Sequence, residues 1–266
     1  MPKPVLPGST KLHNKRQREI LELVQSRGFV SSDELARTFH VTTQTVRRDI
    51  NLLCREGLLR RHHGGAGLPA TVENIPYSTR QVICLDEKIR IARMVASHIP
   101  DQTSLFINIG TTTEEVAKAL RDHRGLRIIT NNLNVAAILS QNGSFEIIVA
   151  GGVVRHRDRG ITGDTTIEFI EKFKVDFGII GISGIDMDGS LLDFDYSEVR
   201  VAQAIMVNSH KVFLATDSTK FGRKPMVRLG QLSQIDALFT DKRPPDEICR
   251  ILADANVKLH IALNGM

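Results

Sequence analysis

The chain is poor in cysteine and has no long apolar run. Its three cysteines, Cys54, Cys84 and Cys249, lie far apart without a Cys-x-x-Cys spacing, so we expect no disulfide framework and a reducing compartment. No stretch approaches the roughly 18 consecutive apolar residues of a membrane-spanning helix. Residues 1–15 lack the apolar core of a secretory signal. These absences predict a cytoplasmic protein without a membrane partner.

The composition is that of an ordinary globular protein, but its charge is uneven. Hydrophobic residues make up 41% and charged residues 24% of the 266 residues, enough apolar material for a core. Residues 1–63 hold 12 Lys and Arg against 6 Asp and Glu, whereas the remainder holds 23 against 24. A basic segment joined to a near-neutral body indicates that one part meets a polyanion. A solvated basic surface would give the same balance.

The first sixty residues have the pattern of three short helices. The spacing of apolar residues predicts a first helix over Lys15–Arg27, a second that Ser31 or Ser32 caps, and a third that Thr42 or Thr43 caps. Two short helices joined by a tight turn, at about residues 30–49, are what reading of the DNA major groove needs. A basic strand and a glycine pair follow the third helix and predict a wing, which commonly touches the DNA backbone or minor groove.

The polar residues of this segment are the expected DNA contacts. Residues at the start of a recognition helix reach base edges, and arginine also pairs with phosphates. We therefore expect a winged helix-turn-helix whose DNA-binding residues are Thr43, Gln44, Thr45, Arg47, Arg48, Arg60, Arg61 and His63. The alternative is a three-helix protein–protein module with incidental basic residues.

The segment from Arg18 to Gly65 resembles the helix-turn-helix of the DeoR family of bacterial regulators. The specific signals are the runs V41-T-x-x-T-V-R-R-D-I and L58-x-R-x-H-x-G-G-A. A stretch with prolines, a glycine and no periodicity follows, from Gly67 to Tyr77, and predicts a loop between domains. We place a DNA-binding domain at residues 13–68, a linker at 69–85 and an effector-binding domain at 86–263.

Short apolar strands alternate with helices in the remaining two hundred residues. Such alternation predicts an α/β domain whose parallel sheet is covered on both faces, and ligands of such sheets bind beyond the carboxyl ends of the strands. The predicted strands are Ser104–Ile109, Leu126–Thr130, Phe145–Ala150, Phe177–Ile182, Lys211–Thr216, Ala237–Thr240 and Lys258–Ala262.

The loops at those strand ends carry the candidate chemistry. The run from Gly110 to Thr113 joins a strand to a helix N-terminus, where glycine, hydroxyls and the helix dipole favour an anion. The loops together predict a pocket for a phosphate and a polyol, with effector-binding residues Gly110, Thr111, Thr112, Asn131, Asn132, Gly151, Gly152, Asp186, Glu198, Asp217 and Lys220. Taken singly, each loop is equally consistent with a simple turn, a helix cap or a solvated lysine.

The segment from Glu87 to Asp241 resembles the DeoR-family sensor domain. The runs INIGTTTEEVAKAL, ITNNLNVA, VAGGVVR and ATDSTKFGR carry the resemblance, and GITGDTTIEFI with DGSLLDFDYSEVR is similar to the branch of the family concerned with glycerol 3-phosphate. The resemblance implies a fold similar to sugar-phosphate isomerases. It also implies a homo-oligomeric repressor, a dimer or tetramer without a cofactor or metal, that leaves operator DNA when a phosphorylated polyol or sugar binds.

Three alternatives stay open. The chain could answer to a different sugar phosphate, or activate transcription rather than repress it. It could also be a sugar-phosphate isomerase with Asp186, Glu198 and Lys220 as proton-transfer groups. The isomerases that the domain resembles carry a lysine and a run of glycines after an Asp-rich loop. The corresponding stretch here, Ser190 to Asp195, has neither, which favours binding without turnover.

Overall fold

A computed structural model describes residues 14–27, 29–56, 58–62, 64–67 and 76–263. These residues divide into two compact units. The N-terminal unit comprises the described residues up to 67 together with Ser78–Ile83, and the C-terminal unit comprises Pro76, Tyr77 and the residues from Cys84 onward. Each unit has buried apolar side chains of its own.

The N-terminal unit is a three-helix cluster with a small antiparallel sheet. Its elements are α1 (Lys15–Arg27), β1 (Phe29–Ser31), α2 (Ser32–Phe39), α3 (Thr43–Arg55), β2 (Arg60–His62) and β3 (Gly65–Gly67). The strands pair in the order β1-β3-β2. Between the predicted alternatives for the helix caps, the structure selects Ser31 for α2 and Thr42 for α3, whose hydroxyls accept from the amides of Glu34 and Thr45 at 3.2 Å.

A further helix, α4 (Tyr77–Val82), lies within the predicted linker. The expectation of a plain loop from Gly67 to Tyr77 is therefore wrong at both ends, because Gly67 closes β3 and Tyr77 opens α4. These six residues have apolar side chains only at their two ends, Tyr77 and Val82, which is too short a periodic signal to be recognised in sequence. The middle of the predicted linker, residues 68–75, lies outside the described residues.

The C-terminal unit is built on a seven-stranded parallel sheet, as predicted. Its helices are α5 (Leu85–Ser97), α6 (Thr111–Ala119), α7 (Leu133–Leu139), α8 (Asp164–Ile170), α9 (Tyr196–Val207) and α10 (Asp246–Asp254). The sheet strands are β4 (Ser104–Ile107), β5 (Arg127–Thr130), β6 (Glu146–Val149), β9 (Val175–Ile180), β12 (Ser209–Ala215), β14 (Ala237–Thr240) and β15 (Lys258–Ile261). Their order is β15-β14-β12-β9-β4-β5-β6.

Successive strand residues alternate between two apolar layers. In β4, Leu105 and Ile107 belong to the layer that α5, α6 and α7 cover, whereas Phe106 belongs to the layer of α8, α9 and α10. Because both faces are covered, a polar ligand reaches the sheet only at its edges or strand ends. All seven carboxyl ends lie at one edge, since every pairing within the sheet is parallel.

Two small antiparallel pieces were not expected from the sequence. One is the hairpin β7 (Val153–Val154) and β8 (Ile161–Thr162), and the other is the sheet of β10 (Gly184–Ile185), β11 (Ser190–Asp193) and β13 (Val227–Gln231). The predicted loop from Ser183 to Asp186 thus contains a strand. Three of these five strands, β7, β8 and β10, are only two residues long and leave no alternation to detect, and the pairing of β13 with β11 joins distant parts of the sequence.

Candidate DNA-binding surface and effector site

Helix α3 has an apolar face that is buried in the N-terminal unit and a polar face that is exposed. Val46, Ile50 and Leu53 are buried in the N-terminal unit. On the opposite face, Gln44, Arg47 and Arg48 are exposed and form no hydrogen bond or ion pair with the described residues. Thr43 and Thr45 are partly exposed. Donors that are free of internal partners are available for base edges and phosphates.

The aspartate that follows the two arginines has a structural role. Asp49 is 5% exposed, and its carboxylate accepts from Arg16 Nε at 2.7 Å and from Gln17 Nε2 at 2.9 Å. The contact fixes α1 against α3 and so sets the orientation of the polar face. Asp49 falls in helical register with Val46, Ile50 and Leu53, and this register marks it as buried.

The wing and the start of α3 share one groove. Its lining consists of Ser32, Arg47, Ile50, Asn51, Arg61, Gly64 and Gly65. Arg61 reaches across it and donates from Nη1 to Asn51 Oδ1 at 2.8 Å, and Arg60 is exposed. A Cβ atom on Gly65 would lie 2.3 Å from the carbonyl oxygen of Val30, so β3 requires glycine there. The predicted contact His63 lies outside the described residues.

The carboxyl ends of the parallel strands carry buried polar atoms without protein partners. Within the described part of the chain, Asn108 Oδ1, Asn131 Oδ1, Thr216 Oγ1 and Thr240 Oγ1 are buried and form no hydrogen bond. These residues end or follow β4, β5, β12 and β14. Buried polar atoms are almost always paired, so four exceptions at one edge of the sheet point to a polar ligand.

The loop after β4 has the expected placement at the start of a helix. Helix α6 begins at Thr111, three residues earlier than predicted, with Gly110 as its N-cap. Thr111 and Thr112 are each 8% exposed. The Thr113 hydroxyl donates to the carbonyls of Asn108 and Gly110 at 2.8 Å, which holds the loop in a fixed shape. The first amides of α6 are thus presented in a rigid turn, as an anion site requires.

The two asparagines after β5 have different roles. Asn131 Nδ2 donates to the carbonyl of Ile161 at 3.0 Å, and its own carbonyl oxygen is unpartnered. Asn132 caps α7, because its Oδ1 accepts from the amide of Asn134 at 2.9 Å. The helix-cap alternative is therefore the geometry observed for Asn132, and Asn131 is the member of the pair with an open acceptor.

The glycine pair after β6 is explained partly by packing. Gly152 has φ +144°, and a Cβ there would lie 2.2 Å from Thr166 Oγ1. Thr166 also donates to the carbonyl of Gly151 at 2.8 Å. A Cβ on Gly151, in contrast, would meet nothing within 4 Å. Gly152 is thus required by contact with α8, whereas Gly151 lies open at the strand end.

Two of the three acidic candidates, Glu198 and Asp186, are engaged by basic side chains. Glu198 Oε2 lies 2.8 Å from Arg155 Nη1, and the same guanidinium pairs with Asp158 at 2.6 Å and Asp195 at 3.1 Å. Burial disfavours the charged form of Arg155, but the neighbouring carboxylates outweigh burial and raise its pKa. Asp186 Oδ1 lies 2.9 Å from Lys224 Nζ. Neither carboxylate is thus presented as an unpaired base.

The loop after β12 brings together the predicted Asp217 and Lys220. Asp217 is buried, and its Oδ1 accepts from the amide and hydroxyl of Thr219. Burial alone would raise the pKa of Asp217, but Lys220, Lys88 and the bonds from Thr219 lower it below its ordinary value. The nearby Cys84 thiol has a raised pKa, because it is buried and lies close to Asp217 and Glu87. It is therefore a neutral thiol rather than a nucleophile.

Lys88 is the candidate site residue that the sequence analysis missed. It is only 3% exposed, on the first turns of α5, and acts electrostatically on Asp217. A buried ammonium needs anionic neighbours. The signal was present, because Lys88 is in helical register with the buried Ile91, Ala92 and Val95.

Other kinds of site find no support in the residues that the structure covers. Among them, no group of three or more His, Cys, Asp or Glu side chains could hold a metal ion. None of the helices described is long and apolar enough to cross a membrane.

Comparison with known proteins identifies the family. A model of the DeoR-like helix-turn-helix domain matches residues 16–72, and a model of the DeoR C terminal sensor domain matches residues 83–242. The glycerol-3-phosphate regulon repressor of Escherichia coli (strain K12) is 51% identical over 93% of this chain and 98% of that protein. That of Haemophilus influenzae is 48% identical over 94% and 97%. The chain belongs to the DeoR family and is a DeoR-type transcriptional repressor.

Similarity to solved structures is weaker. Ribose 5 phosphate isomerase A from Neisseria gonorrhoeae aligns with a TM-score of 0.38 at 14% identity, over 51% of this chain and 53% of that chain. A score this low carries no argument about activity.

Proposed function

We propose that the chain represses a glycerol-3-phosphate regulon from the cytoplasm and that glycerol 3-phosphate, or a closely related phosphorylated polyol, releases it from operator DNA. The proposed reading surface is the exposed face of α3 with the adjoining wing. The proposed effector site is the carboxyl edge of the parallel sheet. Helix-turn-helix proteins read paired half-sites as dimers, so we propose that the active form is a homo-oligomer.

One observation carries the effector proposal, the buried Lys88. Lys88 and Lys220 both act on a single buried carboxylate, Asp217, beside a strand end with the unpartnered hydroxyl of Thr216. Two cations around one carboxylate favour an anionic ligand, and unpartnered amide and hydroxyl groups favour the hydroxyls of a polyol. The similar proteins from Escherichia coli and Haemophilus influenzae are glycerol-3-phosphate regulon repressors, and this similarity supports glycerol 3-phosphate as the specific compound.

The proposal excludes turnover of the effector. An isomerase needs an acid or base free to exchange a proton with carbon, whereas Glu198 is held by Arg155 and Asp186 by Lys224. We therefore expect ribose 5-phosphate, which has a C–H bond beside its carbonyl that an isomerase can deprotonate, to be recovered without isomerisation and without solvent deuterium at carbon after long incubation with the protein. Exchange of deuterium into the compound would make the chain an enzyme that also binds DNA.

Lys88→Met tests the effector site. Loss of a charge-assisted contact costs about 1.5–3 kcal/mol, so glycerol 3-phosphate should bind about 10- to 100-fold more weakly by calorimetry. Glycerol should bind wild type far more weakly than its phosphate. The matched control is Lys118→Met, which removes an exposed lysine paired with Glu115 on α6. Equal affinities of Lys88→Met and wild type would place the phosphate elsewhere.

Release from DNA is a separate measurement. Operator duplexes selected from a random pool with the full-length protein provide the probe, and fluorescence anisotropy at fixed salt follows release as glycerol 3-phosphate is added. Tighter DNA binding with effector would reverse the proposed sign of regulation.

A further inference from the structure

A buried hydrogen-bond network joins Tyr77 to the strand-end loops. The Tyr77 hydroxyl donates to Glu114 Oε2 at 2.7 Å. Asn134 Nδ2 donates to the Tyr77 hydroxyl at 2.9 Å and to Glu114 Oε1 at 3.0 Å, and Asn132 Nδ2 donates to the same oxygen at 3.2 Å. Glu114 is 5% exposed and Asn132 is fully buried. A tyrosine hydroxyl, a carboxylate and two amides are thus satisfied mutually.

The network around Glu114 and the Tyr77 hydroxyl connects three loops at the strand ends. Glu114 lies in the first turn of α6, and its amide donates to the carbonyl of Gly110 at 3.0 Å. Asn132 follows Asn131, whose carbonyl oxygen has no partner among the described residues. Asn134 also donates to the carbonyl of Asp158, which pairs with Arg155. A ligand that moves any one of these loops changes the geometry around the Tyr77 hydroxyl.

Tyr77 also has a particular position along the chain. It is the last residue of the segment that groups with the C-terminal unit, and Ser78–Ile83, directly after it, group with the N-terminal unit. Tyr77 is therefore both a member of the strand-end network and the first residue of α4.

We propose that Tyr77 is a positioning residue that transmits effector binding from the loops of the sheet to the segment entering α4, and thereby to DNA binding. The inference rests on the proposed function and adds the residue that performs the coupling. An anion at the start of α6 would bind in the same helical turn as Glu114, and its charge would act on the Glu114 carboxylate and so on the bond from the Tyr77 hydroxyl. Coupling of this kind is a free energy between two binding sites that a single contact can modulate.

Tyr77→Phe removes the hydroxyl and leaves the ring. The chain holds only one other tyrosine, Tyr196, whose side chain is exposed, so Tyr196→Phe is the matched control. The quantity measured is the ratio of operator dissociation constants with and without saturating glycerol 3-phosphate. We expect a ratio of about 5- to 150-fold for wild type and Tyr196→Phe, the usual range for allosteric proteins, and below about 3-fold for Tyr77→Phe. Calorimetry should show nearly unchanged glycerol 3-phosphate affinity in the absence of DNA.

Tyrosine fluorescence gives a second readout that needs no change at Tyr77. The chain has no tryptophan, so in Tyr196→Phe the only emitting tyrosine is Tyr77. A phenol that donates to a carboxylate emits weakly. Glycerol 3-phosphate should change the emission of Tyr196→Phe, and glycerol at the same concentration should not.

The outcomes separate this inference from the proposed function. If wild type is released by glycerol 3-phosphate and Tyr77→Phe is released equally, the inference is wrong and the proposed function stands. Much weaker effector binding by Tyr77→Phe would make Tyr77 a ligand contact and also overturn the inference. If glycerol 3-phosphate binds but does not release wild type, or does not bind, the proposed function fails and the inference fails with it.

Discussion

The two units use polar side chains in opposite ways. In the N-terminal unit, Gln44, Arg47 and Arg48, which are assigned to DNA, are exposed and have no partner in the described structure. In the C-terminal unit, several of the residues assigned to the effector are buried or partly buried and bonded to neighbouring protein groups, as with Asn132 on Glu114 and Glu198 on Arg155. A long polyanion is met by free donors on a surface, whereas a small ligand is recognised by groups held in place beforehand.

Because of this difference, DNA binding and stability should depend on different side chains in the N-terminal unit, whereas effector binding and stability should depend on the same side chains in the C-terminal unit. Changes to exposed, unpaired side chains usually alter stability by less than about 0.5 kcal/mol. Changes to a buried ion pair leave an uncompensated charge and cost several times more. Substitutions at the DNA surface should therefore weaken binding without unfolding the protein, and those in the strand-end loops should do both.

Arg155→Met should give the largest loss of stability. Its guanidinium, with 12% side-chain exposure, pairs with Asp158, Asp195 and Glu198. Removing one partner from a buried pair costs about 3–5 kcal/mol. Arg200→Met is the control, because the Arg200–Asp164 pair is exposed and such pairs contribute about 0–1 kcal/mol. Urea unfolding measures both, and equal losses would show that the Arg155 cluster is solvated.

Asp49→Asn should give the next largest loss of stability. Asp49 differs from the exposed polar residues of α3 because it is buried and bonded within the N-terminal unit. The amide cannot accept from Arg16 and Gln17 as the carboxylate does, and hydrogen bonds to a charged group contribute about 1.5–3 kcal/mol. Asp164→Asn, at an exposed carboxylate, is the control. A loss of DNA affinity without any loss of stability would instead place Asp49 at the DNA surface.

A smaller change in stability is expected at acidic pH, where Asp217 becomes protonated. Its pKa in the folded protein is lowered, so the ionised carboxylate stabilises the fold above the unfolded value of about 3.9, and this contribution is lost as the pH falls through the lower folded pKa. The midpoint of thermal unfolding should differ between wild type and Asp217→Asn at pH 6, and the difference should shrink as the pH falls below the unfolded value. A constant difference at every pH would mean that the charge of Asp217 is not involved.

Local features could be predicted from the sequence, and distant pairings could not. The caps of α2 and α3 and the polar face of α3 follow from residues within one or two helical turns. The strand-end loops follow from the alternation of strands and helices. The pairing of Arg155 with Asp195, 40 residues apart, has no local signal. Lys88 had one, its helical register, but a single charged residue in an apolar stripe is easily passed over.

Arg47→Ala and Arg48→Ala should have the smallest effect on stability and the clearest effect on function. Both side chains are exposed without partners in the part of the chain described, so the free energy of unfolding should change by less than about 0.5 kcal/mol.

The two arginines are expected to contact different parts of the DNA. Arg47 lines the groove with Asn51 and Arg61, and this position favours contact with a base. Arg48 is not among the residues that line the groove, and its position favours contact with a phosphate. Replacing a base-reading arginine costs about 1–3 kcal/mol and relaxes specificity at one operator position. Replacing a phosphate-binding arginine weakens binding to all DNA sequences alike, and it lowers by about one the slope of the logarithm of affinity against the logarithm of salt concentration.

Anisotropy titrations of the selected operator and of single-base variants, at several salt concentrations, separate the two roles. Unchanged affinity and selectivity in both variants would remove this face of α3 from the DNA interface, and a loss of stability comparable to that of Asp49→Asn would show that the contrast between the units does not hold.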